Sequence, residues 1–172
     1  MTHKESPLEV TIKGALAGLA GTAVLTVVMK NTRAIMEKLG IQQPEPPRQG
    51  DGQEAAEPTE KLAEKVAEGI LERPIDADTR QAAGQAIHWV YGTAWGAFYG
   101  IMQSSLRLPH WLHGTLFGSL IGAVAATLVP TMRLTPPPTE QPPVKNAMQF
   151  AYTLLYGWVT ALVFRVLSRD AR

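Results

Sequence analysis

Four stretches of this chain, Ile12–Met29, Gly84–Met102, Trp111–Val129 and Ala147–Val166, are apolar and carry almost no charge. Each holds about 18–20 residues, and a helix rising about 1.5 Å per residue would carry such a stretch across roughly 27–30 Å, the thickness of bilayer hydrocarbon. Hydrocarbon offers a backbone no water to bond, so a segment of this kind crosses as a helix. The mean hydropathy of −0.03 averages these stretches with a polar segment rich in Glu, Gln and Pro. The expectation is an all-α polytopic membrane bundle with four transmembrane helices, in a single membrane domain over 1–172.

The first apolar run reads as a retained helix and not as a signal peptide. Glu5 and Glu9 dilute its positive start, and no A-x-A site closes it. Its helical periodicity continues through Ile35, Met36 and Leu39 to Gly40, a helix C-cap residue type. Ser6-Pro7 supplies a start signal. Residues 40–80 read as an extramembrane loop. Within it, Pro58-Thr59-Glu60 opens a short amphipathic helix at about 59–72, with Leu62, Val66 and Ile70 on one face. Its mixed acidic and basic polar face favours docking on the stalk of the first helix over lying on lipid. Asp76 or Asp78 suits the N-cap of the second span, and Pro109 the first position of the third. Pro130 ends or kinks the third span. The prolines at 136–138, 142 and 143 predict an extended polyproline II spacer before the fourth. Trp89 and Trp111 suit interfacial belts on opposite sides, whereas Lys and Arg are so evenly divided that they set no orientation.

Glycine patterning goes further. Gly92, Gly96 and Gly100 mirror Gly114, Gly118 and Gly122 about Arg107. In an antiparallel hairpin, residues equidistant from the turn share a depth. The mirror therefore predicts a zipper of the second and third spans, pairing Gly92 with Gly122, Gly96 with Gly118 and Gly100 with Gly114, and His88 with Ala126 one turn on. Small residues let helix backbones approach in lipid, where no hydrophobic force drives helices together. A third stripe, Gly14, Gly18 and Gly21, is expected to meet Gly157 on the fourth span or a second subunit.

Candidate chemistry is sparse. His88 reads as a helix–helix hydrogen-bonding residue, and His110 and His113 as interfacial ones. No third ligand stands at metal spacing beside them, so no metal or cofactor is expected. No Asp or Glu lies inside the four spans, which argues against an ion-coupled carrier. The intramembrane threonines can return their hydroxyls to their own helix backbone. There is no cysteine, no G-x-S-x-G elbow, no H-E-x-x-H and no phosphate loop, so catalysis is not expected. No basic block points to nucleic acid. The expected partners are the lipid bilayer and either a second copy or another membrane protein. A non-enzymatic module is the first reading, and a small passive channel or transporter subunit the alternative.

Gly14–Gly21 (GALAGLAG), Tyr91–Gly100 (YGTAWGAFYG), Gly118 with Pro130, the proline loop, and Tyr156-Gly157 followed by Arg165 together resemble the YagU-like family of bacterial inner-membrane proteins. The resemblance implies a location in the bacterial cytoplasmic membrane and a link to envelope or stress physiology. It implies no reaction. Ala123–Val129 lacks the acidic residues that the family pattern carries before its proline, so ion handling is not carried over.

Overall fold

The computed structural model describes residues 6–38, 57–71, 75–106 and 109–169. Among them every regular element is helical: α1 (Pro7–Lys38), α2 (Pro58–Leu71), α3 (Ala77–Ser105), α4 (His110–Thr131), a 3-10 turn (Pro138–Glu140) and α5 (Pro143–Arg169). Among the described residues, three helical stretches are long and apolar enough to cross a membrane: Pro7–Met36, Trp111–Thr131 and Pro143–Arg169. Gly40 and Arg107, expected as a helix cap and as the pivot of the glycine mirror, lie outside the described residues.

Local chemistry sets the helix ends. Ser6 Oγ accepts the Glu9 N–H at 3.1 Å, which satisfies one of the free donors of the first turn of α1, and Pro7 follows where a missing N–H costs nothing. At α3, Asp76 is the N-cap, and its carboxylate accepts the Thr79 N–H at 3.3 Å and the Thr79 hydroxyl at 2.5 Å. Pro109 sits at the N-cap of α4, one residue earlier than expected. Pro130 is tolerated just inside the end of α4, after which Arg133 takes a positive φ of 56° and Leu134 turns back to donate to the Val129 carbonyl. The proline connection is not a plain extended spacer. Pro137 has polyproline-like angles, but Pro138–Glu140 curls into the 3-10 turn. The side-chain amides of Gln141 and Asn146 then donate to the Pro136 and Pro138 carbonyls and fold the loop on itself.

The four long helices alternate in direction and form a ring in the order α3, α1, α5, α4. α1 lies along α3, α4 along α5, and α1 against α5. The expected zipper between the second and third spans is therefore corrected. Gly92, Gly96 and Gly100 of α3 meet α1, while Gly114, Gly118 and Gly122 of α4 meet α5. α3 and α4 do run antiparallel, but the sides that they turn to each other carry Trp95, Tyr99 and Phe117 in place of the glycines. Their rings stand 6.0 Å (Trp95–Phe117) and 4.9 Å (Tyr99–Phe117) apart, and rings of that size hold two backbones well apart.

The same aromatic residues form the centre of the bundle. Tyr99 and Phe117 are fully buried, with Tyr156 and Phe164 packed around them, mostly edge to face. Leu16, Val27, Val90, Phe98, Trp111, Leu116 and Leu162 point outward and are exposed. The amphipathic helix α2 docks on the start of α3 and not on the stalk of α1. Its Ala63 and Ala67 are buried, Glu60 lies over Gly84, and Arg80 reaches Glu64 at 4.0 Å. Lys65 Nζ donates to the Met132 carbonyl at 2.6 Å, which supplies a cation to the carboxyl end of α4.

Candidate functional site

The residues singled out in the sequence divide between two glycine seams and a set of buried polar side chains. In the α1–α3 seam, a methyl group placed on Gly18 would lie 2.7 Å from the Gly96 Cα, and one on Gly96 would lie 2.6 Å from the Gly18 N. Gly14 is in the same position against Gly100, at 2.9 Å from its Cα. In the α4–α5 seam, a methyl on Gly118 would lie 2.8 Å from the Leu154 Cα, and one on Gly157 2.9 Å from the Gly118 Cα. These are backbone-to-backbone contacts, so no side chain can yield to relieve the crowding. Helices this close gain dispersion along the whole seam together with Cα–H contacts to carbonyls.

Gly157 therefore meets Gly114 and Gly118, not the stripe on α1 as expected. Of that stripe, Gly14 and Gly18 go to α3. Gly21 alone goes to α5, where it leaves room for Tyr156 and the Thr160 hydroxyl. Gly122, at the end of the second seam, faces Thr153 Oγ1 and the Phe150 ring.

His88 bonds across helices, but to α1 and not opposite Ala126. Its Nε2 lies 3.4 Å from Thr26 Oγ1. The Thr26 hydroxyl already donates to the Thr22 carbonyl at 2.8 Å, so it accepts here and His88 Nε2 carries the proton. His113 is fully buried. Its Nε2 is 2.9 Å from the Leu106 carbonyl, the C-cap of α3. A carbonyl can only accept, so Nε2–H donates, and the ring ties the start of α4 to the end of α3. That tautomer leaves Nδ1 as an acceptor, and it is buried with no partner among the described residues. The side chain of His110 lies outside the described residues.

The threonines turn inward on their own helices. Thr22, Thr26, Thr93, Thr115 and Thr127 each donate to the carbonyl four residues back, and Thr153 to the carbonyl of Phe150. Thr160 Oγ1 is buried without a hydrogen bond in this geometry. Among the described residues no cluster of three His, Asp or Glu side chains is placed to hold a metal ion.

Tyr156 was not singled out as a site residue. Its hydroxyl crosses from α5 to donate to the Gly92 carbonyl on α3 at 2.5 Å, so one side chain links the two seams. Its placement beside Gly157 was the available signal. A tyrosine preceding a packing glycine projects from the edge of the seam toward the next helix. Trp158 likewise crosses to α4, where its Nε1 donates to Thr115 Oγ1 at 2.9 Å. No family profile, curated protein or solved structure matches the chain.

Proposed function

We propose that this chain is a non-enzymatic membrane module whose four long helices all span the bilayer and whose role is to pack, with itself or with another membrane protein. The single observation that carries this reading is how the bundle is filled. Glycine backbones close two seams, and the rings of Tyr99, Phe117, Tyr156 and Phe164 occupy the middle. A path for ions or small solutes needs polar groups facing an open lumen. Here the hydroxyls of Thr22 and Thr153 are turned back to their own helices and His88 is engaged by Thr26.

α3 is the fourth span in this reading. It holds no Asp, Glu, Lys or Arg from Gln81 to Ser105 and packs against α1 backbone to backbone. Its tyrosines, tryptophans and glycines lower its hydropathy, but they suit helix contacts and membrane interfaces. The outward apolar side chains supply a lipid-facing surface. The resemblance to the YagU-like family supports a bacterial cytoplasmic membrane and a link to envelope or stress physiology.

Reconstitution into liposomes tests the reading. Potassium, proton and small-solute leakage should match that of protein-free vesicles, while cross-linking in native membranes should capture a second copy or a distinct membrane protein. Leakage that rises in proportion to protein would favour the passive-channel alternative.

A further inference from the structure

We propose that the chain is an internal repeat: two copies of one antiparallel helical hairpin, α1 with α3 and α4 with α5, related by an approximate two-fold axis along the bundle. Under this relation Gly14 and Gly18 of α1 correspond to Gly114 and Gly118 of α4. Gly92 and Gly96 of α3 correspond to Thr153 and Gly157 of α5.

The glycine-to-carbonyl contacts repeat. Gly14 faces the carbonyl of Gly96 as Gly114 faces that of Gly157, and Gly18 faces the carbonyl of Gly92 as Gly118 faces that of Thr153. In the reverse direction Gly96 meets the Gly14 carbonyl as Gly157 meets the Gly114 carbonyl. Burial repeats too. Gly14, Ala17, Gly18 and Gly21 are buried on α1, and Gly114, Phe117, Gly118 and Ile121 on α4. Tyr99 and Gly100 are buried on α3, and Thr160 and Ala161 on α5. Small residues four apart bring helices close without choosing a register, since an antiparallel pair can slide by a turn and still interdigitate. Two seams of different sequence in one register are what a repeated unit supplies.

One position in the seam shows the two copies solving a single problem in opposite ways. In the first hairpin Thr22 of α1 packs on Gly92 of α3, and in the second Gly122 of α4 packs on Thr153 of α5. The slot takes one threonine and one glycine, with the helices exchanged. Both hydroxyls turn back to their own backbone, Thr22 to Gly18 and Thr153 to Phe150.

The relation also accounts for the asymmetry of the ring, because it makes the α1–α5 and α4–α3 sides equivalent. Where α1 offers Gly21 to Tyr156 and Thr160, α4 carries Ile121. Where α1 carries Ala17, α4 carries Phe117, whose ring meets Trp95 and Tyr99, the residues that correspond to Tyr156 and Thr160. One side closed with small residues and the other filled with rings. That difference in filling hides the repeat from the sequence.

Exchanging the threonine and glycine tests the proposal on the full chain in detergent and in bilayers. Gly92→Thr sets threonine against threonine and should lower the thermal midpoint by about 5 °C or more, or abolish folding. Adding Thr22→Gly gives the first hairpin the arrangement of the second, and should restore a monodisperse protein within about 2 °C of Thr22→Gly alone. The same holds for Gly122→Thr and its partner Thr153→Gly. Rescue in both hairpins is the expected result. A double variant no better than its glycine-to-threonine single in either hairpin overturns the proposal, whether or not the singles fold.

Discussion

At Gly96 the first atom of any side chain would occupy the space of the Gly18 backbone, and a larger one would add to that overlap. Gly96→Leu should therefore prevent α1 and α3 from closing, with loss of the monodisperse protein on size exclusion. A wild-type profile would show that the seam does not hold the fold. Gly69 provides the opposite case. It lies in α2 with no described atom near the position of a Cβ, so none of the described residues requires a glycine there. Gly69→Ala should stabilise α2 by about 0.5–1 kcal/mol through helix propensity, seen as slower amide exchange across Pro58–Leu71. Both glycines look alike in the sequence. What separates them is the recurrence of Gly96 every fourth residue with Gly92 and Gly100, which identifies a packed face. Recurrence does not identify the partner, since four helices with small-residue stripes can be paired in several ways. The bulky residues beside the stripes, Phe117 above all, make that choice through the shapes of the neighbouring faces.

Among the elements, α3 starts on a cap in which one carboxylate takes two bonds from Thr79. The Thr79 hydroxyl, and next the Thr79 N–H, hold the Asp76 carboxyl below the usual carboxylate range. A depressed folded pKa means that the cap contributes fully above the ordinary carboxylate pKa, and that this contribution is lost as pH falls through the lowered value. Amide exchange in the first turn of α3 should quicken only in that acid window, and Asp76→Ala should show the quick exchange already at neutral pH. An unchanged first turn in the variant would show that the cap is idle. The cap was legible because an Asp followed by Thr three residues on is local chemistry. The docking of α2 was not, since it rests on alanines, a 4.0 Å ion pair and the Lys65 bond to the Met132 carbonyl, contacts that link distant parts of the chain. Surface ion pairs alone hold little. The buried face of Ala63 and Ala67 sets where α2 sits.

At the scale of the whole molecule, few of the polar bonds among the described residues join the two hairpins, and one of them is the Tyr156 hydroxyl on the Gly92 carbonyl. Tyr156→Phe keeps the ring in the core and removes only that bond. It should cost about 1 kcal/mol in reversible unfolding from mixed micelles, with the glycine seams intact. An effect near zero would mean that ring packing alone joins the halves. Dimensions carry a different consequence. As helices, α1 and α3 extend about 48 Å and about 43 Å, well beyond a hydrocarbon layer of about 30 Å. Their zippered glycines lie toward the end where α1 begins and α3 finishes, near the short turn into α4. With α3 crossing the bilayer as proposed, the excess length of the described helices emerges at the other end, where α2 is fastened, and stands raised on that surface like a knob on a stem. A water-soluble factor that engages α2 would reach it from that side, whichever way the chain is inserted.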